Sequence, residues 1–314
     1  MFRVFRKELA DHFSSARFLI LFCLVVCVAV LITNTVSLNI NRELSGGAKF
    51  RYFFLMLFTT SGRFFSLTQF IAFFGPLVGI IMGFDAINKE RNGGTLAKLL
   101  SQPVYRDAIV NGKFLAGLVT ITVMFVSLML LIAGLGMAVL GVVPTPEEIG
   151  RLLLYVIVSI VYVGFWLGLA ILFSILFRSI GTSALAAVAL WILVSFFVGF
   201  AANLVADALA STEGRSREQM VRHQRIAEGV SRVSPVNLYS DATSTIMDPY
   251  RKTTKSFVLI GPMETISMSR FNNALPLSQS ILVVLPYLLT LLALTAVCFA
   301  AAYATFMRQE IRSI

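Results

Sequence analysis

Few residues in this 314-residue chain have the types and spacing to do chemistry, and most of them crowd into positions 85–113. That stretch carries Lys89, Glu90 and Arg91, then Gly93-Gly94-Thr95, then Leu96, Leu99 and Leu100, and finally Pro103, Arg106 and Gly112-Lys113. A phosphate-binding loop needs Gly-x-x-x-x-Gly-Lys-Ser/Thr, so that backbone N–H groups and the lysine cradle the phosphates. Here Phe114 follows the lysine and Asp107 stands where the first glycine belongs, so ATP hydrolysis is not expected of this chain. The chemistry left to the stretch is recognition. Gly93-Gly94 can take φ > 0 and stop a polar helix that continues through Arg91. Thr95 can cap a new short helix over 96–101, whose Leu96, Leu99 and Leu100 recur at i, i+3 and i+4 before Pro103 ends it. Such a helix has to bury its leucines against the membrane interface or in the groove of a partner.

Other reactive side chains form no site by spacing. His12 and His223 lie in amphipathic or polar segments on opposite sides of the expected membrane, which argues against a zinc site and against an intramembrane enzyme. Cys23 and Cys27 share a helix face and read as small buried hydrophobes rather than ligands for a soft metal. Met263, Met268 and Glu264 make a weak ligand set for copper. No cofactor or metal is expected in this chain.

The elements that position these residues follow from composition. Hydrophobic residues make up 57% of the chain and charged residues 13%, too little polar surface for a soluble domain of this length. The mean hydropathy of +0.84 agrees. A hydrocarbon core of roughly 30 Å needs about 20 apolar residues in a helix, and 18–38, 67–84, 114–143, 152–177, 180–205 and 281–307 supply six such runs free of charge and of histidine. Nothing alternates in polarity as a β-barrel would. The fold class expected is an all-α integral membrane protein with six transmembrane helices. The first run reads as a retained helix, because Glu8 and Asp11 precede it and no Ala-x-Ala site follows. Gly75-Pro76 should kink the second.

Residues 1–17 place Phe2, Phe5, Leu9 and Phe13 on one helical face, with Arg3, Arg6 and Lys7 elsewhere. That is the pattern of an N-terminal amphipathic helix lying in the membrane interface. The net charge of +10 is distributed to favour cytoplasmic termini: Arg3, Arg6, Lys7, Arg17, Lys89, Arg91, Lys98, Arg106, Lys113, Arg178, Arg308 and Arg312 would all lie inside. Basic charge here bears on topology and on anionic lipid, since no nucleic-acid-binding fold is recognisable and no nucleic-acid partner is expected. The outside segment 206–280 is expected to be partly helical, over 216–233 and 237–247, either meeting an extracytoplasmic partner or packing on lipid headgroups.

The loop and the six runs together resemble the permease subunits of ABC-2-type transporters, and are similar to the permease of the nitrous-oxide-reductase maturation system. The residues that carry the likeness are Glu90, Gly94-Thr95-Leu96, Leu99-Leu100, Pro103, Arg106 and Gly112-Lys113. Asp85-Ala86-Ile87, the opening Arg6-Lys7-Glu8-Leu9 with Arg17, and Ser234-Pro235-Val236-Asn237-Leu238-Tyr239 add to it. The resemblance implies one permease domain over 1–314, in the cell (inner) membrane. It also implies pairing with a second permease copy as a homodimer, or with a similar permease, and a separate ATP-binding subunit that carries ATP and Mg. In such permeases the helix after the second span is the coupling element that docks on the ATPase, and export is the favoured direction. Segment 206–280 is longer than in the family's simplest members. The alternative is an ion-coupled secondary transporter without an ATPase. Against it, the runs hold no Asp, Glu, Lys, Arg or His; Asn34 and Asn203 lie near their ends with hydroxyls scattered between, and no three-plus-three helix repeat is visible.

Overall fold

The computed structural model describes residues 1–45, 52, 54–59, 66–95, 105–141, 143–209, 217–250 and 274–309. The described elements are helical: α1 (Phe2–Ser14), α2 (Ala16–Ser45), α3 (Met56–Thr59), α4 (Leu67–Gly83), α5 (Asn88–Asn92), α6 (Arg106–Leu140), α7 (Pro146–Leu176), α8 (Ile180–Ile192), a π-helical turn (Leu193–Phe197), α9 (Val198–Leu209), α10 (Arg217–Ser231), α11 (Pro235–Met247) and α12 (Leu277–Arg308). Six helical stretches are long and apolar enough to cross a membrane: Ala16–Leu38, Leu67–Asn92, Arg106–Val139, Pro146–Leu176, Ile180–Leu209 and Leu277–Arg308. They match the six expected runs in number and order.

Local chemistry fixes the helix ends. Ser66 accepts from the backbone of Gln69, whose side chain accepts from Ser66 N–H in return. Thr145 and Glu148 repeat the same reciprocal cap ahead of Pro146, which fits the first helical position because its missing N–H would be unpaired there. Gly141 closes α6 at φ +66, a conformation that costs a side-chain-bearing residue energy.

Helix α7 is the central post, and α4 lies closest to it. A Cβ on Gly79 would sit 2.6 Å from the Val163 carbonyl oxygen, and one on Gly83 would sit 2.8 Å from that of Leu167. With Gly75 these glycines form a stripe at every fourth position that lets two backbones nearly touch. Pro76 lies inside α4 and cannot bond the carbonyl of Ala72; the Tyr162 hydroxyl of α7 donates to that oxygen at 2.7 Å instead. The proline therefore marks a cross-helix bond within a continuous helix.

Helix α11 enters the bundle, where a headgroup-level or partner-facing segment was one expectation. Tyr239 is fully buried, stacked on Tyr162 at 4.2 Å between centroids, and shares a 2.7 Å hydrogen bond with Ser159. Arg151, wholly buried at the start of α7, holds the adjoining chain. It donates to the carbonyls of Ile246 and Leu275 and to Ser280, pairs with Glu147 at 3.1 Å, and lies over the Tyr52 ring. Two further expectations are corrected. Cys23 and Cys27 are exposed on the outer face of α2, free thiols in contact with whatever surrounds the bundle. The polar helix expected to carry the second span on through Arg91 is interrupted by turns at 84–87 before α5 resumes it to Asn92.

Candidate functional site

Both chain termini lie at one end of the bundle, where α1, α5 and the starts or ends of α6, α7 and α12 meet. The centre of this junction is Lys113, 5% exposed, whose Nζ lies 2.9 Å from Glu8 and 3.0 Å from Glu90. One ammonium thus binds three separate pieces of chain: α1, the segment leaving the second span, and the third span. Lys7 reaches the same carboxylates only at 3.7 and 3.8 Å and is largely exposed. Val4 packs against Gly112, where an added Cβ would come within 3.0 Å, so the glycine before Lys113 lets α1 lie close. Arg17, at the start of α2, pairs with Asp85 and covers the Phe84 ring, tying the first span to the exit of the second.

A second set of bonds ties α5 to the ends of α7 and α12. Ser174 accepts from the backbone N–H groups of Ile87 and Asn88 at 3.0 and 3.1 Å, satisfying donors that a broken helix would leave orphaned. Ser183 donates to the Phe84 carbonyl. Arg91 donates to Gln309 Oε1 at 2.9 Å, Arg106 donates to the Gln309 carbonyl at 3.0 Å, and Gln309 Nε2 donates to the Ile175 carbonyl. Every element that reaches this end is hydrogen-bonded or ion-paired to the segment around Glu90.

Between α1 and the α4–α5 exit lies a cavity of about 530 Å³, rimmed by Lys7, Asp11, Arg17 and Lys89 and floored by Ile81, Met82 and Ile171. His12 lines it, and burial holds its imidazole below the usual value despite the opposing pull of Glu8. Glu90 Oε2 is buried, and among the described residues it has no hydrogen-bond partner. Among the described residues no group of three or more His, Cys, Asp or Glu could hold a metal ion.

The structure brings together Glu90, Thr95, Arg106 and Lys113 of the sequence-derived set. Gly94 takes φ +66 beside them with open space around it, and the Thr95 hydroxyl donates back to the Glu90 carbonyl at 3.2 Å. Leu96, Leu99, Leu100 and Pro103 lie outside the described residues, as do Met263, Glu264 and Met268. On α1, Phe2 and Phe13 are exposed and Phe5 and Leu9 half-buried, while the buried side is Val4 and Glu8. Glu8, Ser174 and Gln309 were not legible as site residues. An acid in the middle of a basic, amphipathic helix was the one available signal for Glu8.

The profile described as "ABC-2 family transporter protein" matches residues 2–311. This chain belongs to the ABC-2 transporter family. It is the membrane-spanning permease, a multi-pass protein of a family that lacks ATPase activity itself. The permease is also similar to a protein named "Probable ABC transporter permease protein NosY" from Pseudomonas aeruginosa, 44% identical over 50 residues. That match spans 16% of this permease and 18% of the curated relative.

Proposed function

We propose that the permease is one half of an ATP-driven exporter in the cell (inner) membrane, with both termini cytoplasmic. An ATP-binding subunit carrying ATP and Mg docks on the 85–113 loop. Leu96, Leu99 and Leu100, bounded by Gly93-Gly94 and Pro103, form the apolar anchor, and Glu90, Thr95, Arg106 and Lys113 fix its base. Two copies, or this chain and a similar permease, enclose the path, and residues 206–280 face the outside, where a further partner can bind. Phe2, Phe5, Leu9 and Phe13 hold α1 in the membrane interface. All of this belongs to one permease domain over 1–314.

The observation that supports this reading most strongly is the Lys113 bridge. A docked subunit that pushes on the loop moves Glu90, and Glu90 is ion-paired to the third span and, through the same ammonium, to α1. Motion of Glu90 is therefore tied to two other elements by ion pairs as well as by the chain itself. Charging the apolar face by Leu99→Glu should release the ATP-binding subunit while leaving the spans folded. The check is to extract the tagged permease in mild detergent and identify co-purifying proteins by mass spectrometry. A stoichiometric P-loop subunit present with wild type and lost with Leu99→Glu supports the reading. Retention of that subunit at wild-type stoichiometry with normal ATPase activity would remove the loop from the coupling role.

A further inference from the structure

We propose that Arg232, laid over the ring of Tyr287, is an anion-binding station at the outer mouth of the permease, accepting the phosphate or carboxylate headgroup of an amphiphile. The placement of α10 carries this. It runs back along α9, with His223 bonded to Asp207 at 2.8 Å, and the chain beyond it reaches Ser234, whose hydroxyl donates to the Val194 carbonyl in the π-helical turn of the fifth span. Val194 lies fourteen residues from Ile180 at the termini end, or ~21 Å along the axis. Within a hydrocarbon core of roughly 30 Å, the backbone at Ser234 is thus roughly 9 Å below the outer boundary. Tyr239, bonded to Ser159 at a similar depth on α7, places the start of α11 independently.

Arg232 sits two residues before this deepest point and is exposed. Its guanidinium lies 5.7 Å from the centroid of Tyr287, which is twenty-one residues from Arg308. That is ~32 Å along α12, level with the outer boundary. The side chain therefore climbs from an apolar depth to the headgroup level, and among the described residues no carboxylate pairs with it. A charge held so close to hydrocarbon is costly unless it faces a polar partner. A guanidinium held over an aromatic face keeps its in-plane N–H donors available to an anion such as a headgroup phosphate or carboxylate. The chemistry fits either a resident lipid or an anionic cargo leaving the path.

The test uses the full permease with its co-purifying subunit in nanodiscs of equal phosphatidylcholine and phosphatidylglycerol, with retained lipid read by native mass spectrometry. Wild type should retain phosphatidylglycerol in preference. Arg232→Ala should lower that preference about tenfold, the effect of losing one charge-assisted contact. Arg232→Lys should keep part of it, and Arg225→Ala, an exposed arginine farther out on the same helix, should keep all of it. Equal retention of both lipids by wild type, an unchanged preference in Arg232→Ala, or an equal loss in Arg225→Ala would each overturn the station. Phosphatidylglycerol released when ATP and Mg are added marks cargo; phosphatidylglycerol that persists marks a resident lipid, and both support the site. The cargo source rests on the exporter reading, whose own failure shows separately as absence of a P-loop subunit from the same sample.

Discussion

Deleting the Lys113 ammonium would leave Glu8 and Glu90 facing each other with side chains only 12% and 11% exposed. Stranding buried charge in this way costs about 3–5 kcal/mol, so Lys113→Met should sharply lower the thermal midpoint of the detergent-solubilised permease. Lys7→Ala removes only long, exposed contacts and should change stability by less than about 1 kcal/mol. Adding Glu8→Gln to Lys113→Met should recover part of the loss; equal midpoints for all these variants would mean that the cluster is not a structural tie. Lys113 and Glu90 were legible as members of one loop pattern. Their third partner was not, because nothing local in the sequence registers that Glu8, far away in α1, folds back beside the start of the third span. For the same reason Gln309 and Ser174, both ordinary polar residues at helix ends, carried no mark of their bonds to Arg91, Arg106 and the Ile87–Asn88 backbone.

Among the elements, the α4–α7 crossing depends on the absence of side chains. Gly79→Ala would place a methyl 2.6 Å from a carbonyl oxygen that cannot swing away, so the helices must part. Overpacking of this kind costs about 1–3 kcal/mol. Gly134→Ala, at a position with open space within 4 Å, should leave stability unchanged or raise it slightly. The comparison is read from thermal unfolding, and a Gly79→Ala protein as stable as wild type would show that the close crossing is not needed. The six spans were readable because a run of apolar residues long enough to cross a bilayer has few other fates. The burial of α11 was hidden: its Ser, Asp and Thr residues resemble those of a surface helix, and its place inside the bundle rests on partners far off in sequence, Tyr239 on Ser159 and Tyr162 and the Ile246 carbonyl on Arg151. Gly75-Pro76 signals a freed Ala72 carbonyl, but that its donor is Tyr162 on another helix cannot be read from one helix alone.

For the whole molecule, the Arg91 and Arg106 bonds to Gln309 hold the described end of α12 at the same end of the bundle as α1, and the proposed orientation puts that end in the cytoplasm. In a variant with Cys23, Cys27 and Cys298 replaced by serine, single cysteines at the exposed positions Arg3, Arg178 and Arg225 can be probed on intact cells with a membrane-impermeant maleimide. Only Arg225→Cys should be labelled; labelling of Arg3→Cys or Arg178→Cys alone would invert the orientation. Arg151 carries a different implication at this scale. It grips the Ile246 carbonyl and the Leu275 carbonyl together, while the Leu275 N–H reaches Pro249 at 2.9 Å. The chain leaves and rejoins the bundle through one guarded doorway. Because closing a loop whose ends are already pinned grows only logarithmically dearer with length, the segment hanging from that doorway can be lengthened or trimmed at little cost to the bundle that carries it.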